Sequence, residues 1–156
     1  PLPPCLPWPP DLPADFCTLW DPPSAAAHWA APPAMDAARA AEGLQRLRWY
    51  IHPDRQGAVH SAAYRTALCT AGIARPLEHL IELSHPHESA VRVAAAYCLL
   101  DLCRDLPDES FALVWPHVPL ARLARMAAGE GAGVVGEADA AKEQLAAVRA
   151  LWQLAF

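Results

Sequence analysis

Between residues 34 and 156 apolar side chains recur every three or four positions, the mark of helices that bury one stripe. Ala40, Leu44, Leu47 and Ile51 form the first stripe, with Asp36 where an N-cap belongs. His52-Pro53-Asp54 breaks that pattern, and a second helix is predicted from Ala58 to Ala71, stopped by Gly72. A third runs from Ala74 to Ser84 with Leu77, Leu80 and Ile81 on one face, and Pro86 ends it. A fourth extends from Glu88 to Asp105 on Val91, Ala95, Leu99 and Leu102. A fifth begins near Asp108 and is kinked or split by Pro116 and Pro119. After a glycine-rich link, a sixth runs from Glu137 to the end of the sequence. No alternating strand pattern occurs, so the expected fold class is all-α.

Residues 1–33 read differently, because they hold eleven of the seventeen prolines. Proline fixes φ and removes a donor, which favours an extended, partly polyproline II course. The same segment carries Trp8, Phe16, Trp20 and Trp29, more large aromatics than a solvated tail needs. It is therefore expected to be an arm packed on the helical body, with these four rings as anchors. Its Pro1–Pro4, Pro4–Pro7, Pro7–Pro10 and Pro10–Pro13 spacings also fit the ligands of SH3-type domains. The domain division is thus 1–33 for the arm and 34–156 for the helices.

Residues 52–64 and 85–97 resemble each other: His-Pro, a short polar turn, Ala-Val, an Ala-rich helix and a Tyr. The period is 33 residues, and on this reading residues 58–71 and 88–105 lie roughly parallel in adjacent layers. Ala71-Gly72-Ile73-Ala74-Arg75-Pro76-Leu77, then Leu80, Leu83 and His85-Pro86, resembles the first part of an armadillo repeat. Ala95 through Cys103 resembles that family's final helix, with Tyr97 where the family often has Trp and Asp101 where it often has Asn. Ala150 through Ala155 looks similar, with Arg149 at the Trp position and Gln153 at the Asn position. The resemblance to armadillo/HEAT-like repeats covers residues 35–156. It implies a short right-handed α-solenoid of about three helical hairpins, its final helices lining a concave face. Tyr97, Asp101, Arg149 and Gln153 would then form a ladder on which a protein partner lies. The arm would cover an open end of the stack.

Charge and candidate chemistry narrow the function classes. A net charge of −5 does not suit a nucleic-acid binder, and eleven of the twelve basic residues are Arg, leaving Lys142 as the one Lys. Five cysteines, Cys5, Cys17, Cys69, Cys98 and Cys103, include no CxxC pair, and three sit in apolar helical patterns, as buried free thiols do. The longest apolar run, around Val93 to Leu100, is too short to span a bilayer. His52-Pro53-Asp54 is also the signature of J-domains, the Hsp70 co-chaperones; Leu44, Leu47, Trp49 and Ile51 precede it at helical spacing, and Arg46 and Arg48 supply basic surface. That resemblance implies Hsp70 contact through His52, Pro53 and Asp54. Residues 131–136 match GxGxxG, but a helix precedes them where a dinucleotide site needs a strand. His79, His85 and His87 lack the convergent ligands of a zinc site. No nucleophile elbow occurs. The expectation is a non-catalytic interaction or scaffold module of a larger assembly in the cytoplasm, one piece of a longer solenoid. It is expected to need a protein partner and no cofactor, metal, nucleic acid, membrane insertion or small-molecule substrate.

Overall fold

A computed structural model describes residues 37–52, 58–83, 88–130 and 136–155, with the side chains of 58–61 left aside. Among the described residues all regular structure is helical. In chain order these are α1 (Ala37–Ile51), α2 (Ala58–Thr70), α3 (Ala74–Glu82), α4 (Ser89–Cys103), α5 (Asp108–Val114), a 3₁₀ turn (Trp115–His117), α6 (Leu120–Ala127) and α7 (Glu137–Ala155). The apolar stripes are the reason. Leu44, Leu47, Ile51, Leu77, Ile81, Val91, Ala95, Leu99 and Leu102 are all essentially inaccessible to water, each on the face its spacing assigned to the core. The expected break at Pro116 and Pro119 appears as the 3₁₀ turn between α5 and α6.

Two helix ends are closed in the same way. Gly72 takes φ +85° after α2, and its N–H donates to the Cys69 carbonyl while that of Ile73 donates to Leu68. Gly129 takes φ +76° after α6, with Gly129 bonded back to Met126 and Glu130 to Arg125. Both are left-handed glycine caps that satisfy the last carbonyls of a helix.

α4 lies at the centre, packed broadly against α1, α3 and α7, and α7 also packs against α6. α2 instead contacts α1 and α5. The expected layering of residues 58–71 beside 88–105 is therefore corrected: α1, not α2, occupies the place along α4. The two His-Pro turns are alike in sequence, but the helices after them pack differently. α2 carries few large apolar residues and α4 is apolar nearly all round.

Buried positions also correspond at longer intervals along the chain. Val91, Ala94, Ala95 and Cys98 of α4 are buried, and so are Glu143, Ala146, Ala147 and Ala150 of α7, each fifty-two positions later. Ala40, Gly43, Leu44, Leu47 and Ile51 of α1 stand fifty-one positions before buried Val91, Ala94, Ala95, Cys98 and Leu102. Alanines at these positions let the helices approach closely.

The arm with Trp8, Phe16, Trp20 and Trp29 lies outside the described residues, as do Asp36, Pro53, Asp54, His85, His87 and positions 131–135 of the glycine-rich motif. No helix among the described residues is long and apolar enough to cross a membrane.

Candidate functional site

The sequence singles out Tyr97 and Asp101 on α4, and Arg149 and Gln153 on α7. α4 brings the first two together one turn apart, and a residue from α1 completes the group. Arg48 Nε donates to Asp101 Oδ2 at 2.7 Å, and the same guanidinium lies 4.5 Å from the centre of the Tyr97 ring. Asp101 is only 2 % exposed, so this ion pair neutralises a carboxylate that burial would otherwise penalise. Tyr97 is half-buried beside it. On α7, Arg149 is exposed and Gln153 half-buried, one turn apart on one side of that helix. Arg48 thus holds Asp101 and the Tyr97 ring, while Arg149 and Gln153 lie on the more open side of α7. Arg48, read from sequence as basic surface, is instead engaged with buried Asp101.

A second buried ion pair joins α4 to α7. Arg92 on α4 donates to Glu143 Oε1 on α7 from Nε at 3.1 Å and from Nη2 at 2.6 Å. Arg92 Nη1 donates to the Leu83 carbonyl at 3.1 Å, which also accepts from Arg122 Nη2 at 3.1 Å. Two guanidinium groups thus close the C-terminal end of α3, where the helix dipole favours positive charge. Arg65, itself buried, donates to the Ile51 carbonyl at the end of α1. Sequence reasoning passed over Arg92 and Glu143. The available signal was their position: each occupies a core register in a stripe otherwise built of Val, Ala and Cys.

Cys69, Cys98 and Cys103 are buried free thiols. Burial pushes Cys69 up to about 11, against the opposing pull of Arg65, and Cys103 up to about 12. Burial raises Cys98 too, and its thiol donates to the Leu44 carbonyl. Thiols held protonated are poor nucleophiles and poor metal ligands. His117 Nδ1 lies 2.9 Å from Glu78 Oε2, a partly exposed link between the 3₁₀ turn and α3. No group of three or more His, Cys, Asp or Glu among the described residues is arranged to hold a metal ion. His52 is half-buried just past the end of α1; its J-type partners Pro53 and Asp54 are outside the described residues.

No known family, curated protein or solved structure matches this chain.

Proposed function

We propose that residues 34–156 form a short armadillo-like stack that serves as a non-catalytic protein-interaction module of a larger assembly. One observation carries the reading: α1, α4 and α7 pack in succession, with core positions that correspond at intervals of fifty-one and fifty-two residues. Such a succession of equivalent helices is how repeat proteins build an extended surface from one unit. α3 and α6 pair with the helices that follow them, α4 and α7, as the second and third helices of such repeats would. The partner-binding face runs from Tyr97 and Asp101 to Arg149 and Gln153. Arg48 sets the shape of its α4 portion, and Arg149 and Gln153 supply the adaptable polar contacts.

Affinity capture from cell extract, comparing wild type with an Arg149→Glu/Gln153→Ala double variant, tests the face. Both positions lie off the core stripe, so circular dichroism should be unchanged. A partner retained by wild type and lost by the variant is expected. Identical captured sets would remove this face from the proposal.

A further inference from the structure

α4 is enclosed on most sides, and the residues it leaves accessible define one line. Ala90, Val93, Tyr97 and Leu100 are the only residues of α4 that are not buried, and their spacing of three and four puts them on one face. Ala90 is exposed and the other three are half-buried, so the line is a shallow, largely apolar strip. α1 and α7 flank it, since both pack along α4. Tyr97, already placed on the proposed partner face, stands in this strip.

The register of the stack shows what lies beside the strip. Fifty-two positions later, on α7, Ala90, Val93 and Tyr97 correspond to Lys142, Leu145 and Arg149, all exposed. Fifty-one positions earlier, on α1, Ala90 and Tyr97 correspond to Arg39 and Arg46. The apolar strip thus runs between two rows whose matching positions are basic. Glu42 is the acid within these rows, bonded to Arg46, and Asp139 reaches Lys142 from the preceding turn. Both pairs are exposed, and the balance of the rows stays positive. Arg39 and Arg46 have contacts of their own and count here only for their charge. The chain as a whole carries −5, and Glu78, Glu82, Asp108 and Glu109 stand on α3 and α5. The positive character of this side therefore comes from placement, against the composition of the chain.

We infer that this strip binds an extended, acidic protein segment with apolar residues interspersed, its carboxylates on Arg149 and Lys142 and its apolar side chains on Val93, Leu100 and Leu145. The inference rests on the interaction-module reading above and names the chemistry of the partner. Charge complementarity selects the sign, since opposite potentials steer an encounter and like-charged segments are turned away. Arg149 presents a planar guanidinium, which takes a carboxylate through two parallel hydrogen bonds. Neighbouring helices pack about 8–10 Å apart, so a chain lying on the α4 strip has the α7 side chains within reach of its own. The apolar floor selects the class. A polynucleotide would satisfy the basic rows with phosphates and leave Val93, Leu100 and Leu145 uncovered. A segment that mixes acidic and apolar residues matches both the rows and the floor.

The test is selection from a random peptide library displayed on phage, with the full chain as bait. Enriched peptides are expected to carry net negative charge, with apolar residues between the acids. A synthetic copy of the leading peptide, followed by fluorescence anisotropy, is expected to bind Lys142→Glu/Arg149→Glu about tenfold more weakly than wild type, and to bind wild type more weakly as salt rises. Both positions are exposed, so circular dichroism should show the variant folded. Enriched peptides that are neutral or basic, yet lost on the double variant, overturn the acidic partner and leave the interaction face standing. Acidic peptides that bind the variant as well as wild type overturn the site. No enrichment at all removes the module reading together with this inference. Oligothymidylate that displaces the leading peptide more effectively than the peptide displaces itself overturns the choice of a protein segment.

Discussion

Arg92 is the side chain whose loss the molecule is expected to feel most. It is about 1 % exposed, it neutralises Glu143 through two hydrogen bonds, and it caps the Leu83 carbonyl. Arg92→Ala strands a buried carboxylate, so a loss of about 3–5 kcal/mol is expected in urea unfolding at neutral pH. Replacing both partners, Arg92→Met with Glu143→Leu, is expected to recover most of it, because the stranded charge goes as well. If the single and double variants unfold alike, the pair is not what links α4 to α7. The contrast between Arg92 and its neighbours explains how far the sequence could be read. Val91, Ala95, Leu99 and Leu102 declare their burial by spacing alone. The partnership of Arg92 with Glu143, fifty-one residues later, depends on how α4 and α7 settle against each other, and no local pattern encodes that. The same holds for Arg48, whose role appears only once α1 lies along α4.

The helices themselves end where local chemistry dictates. Gly72 was readable as a stop, and both it and Gly129 adopt the left-handed conformation that side chains resist. An alanine at position 72 meets open space, so its cost is conformational only, about 1–2 kcal/mol. An alanine at position 129 meets the same conformational cost and also approaches the end of Gln144 on α7. Gly129→Ala is therefore expected to lower the thermal midpoint more than Gly72→Ala, as read by calorimetry on the two variants. Equal shifts would mean that Gln144 swings away without loss. Element order and the proline-induced split of the fifth helix were likewise legible, because proline and glycine act on their own backbone. Helix pairing was not. The two His-Pro turns invited α2 and α4 to be matched, but a turn motif does not fix the helix that follows. The apolar content of α4 draws α1 to its side while α2 packs against α1 and α5.

For the whole molecule, stability should carry an alkaline limit set in part by the three thiols. Their folded values are raised above the ordinary 9.0. Below pH 9 both folded and unfolded chains hold the protons, so the contribution is fully present. As pH rises further the unfolded chain releases protons first, and the contribution is lost progressively, through about 11 for Cys69 and about 12 for Cys103. Urea midpoints measured from pH 8 to 11 should fall, and a Cys69→Ala/Cys103→Ala variant should fall less steeply. Parallel slopes would place the alkaline limit elsewhere. A thiol-modifying reagent is expected to reach Cys98 and Cys103 on α4 only as fast as the chain opens, since α1, α3 and α7 pack against α4.

The Leu83 carbonyl, gripped by Arg92 from within and Arg122 from α6, makes the last turn of α3 a junction shared by three helices. A disturbance that shifts α6 therefore pulls on that oxygen, and through it on α4, alongside the packing of α6 on α7 and of α7 on α4. The Leu83 carbonyl thus gives α3, α4 and α6 one shared polar contact within an otherwise largely apolar interior.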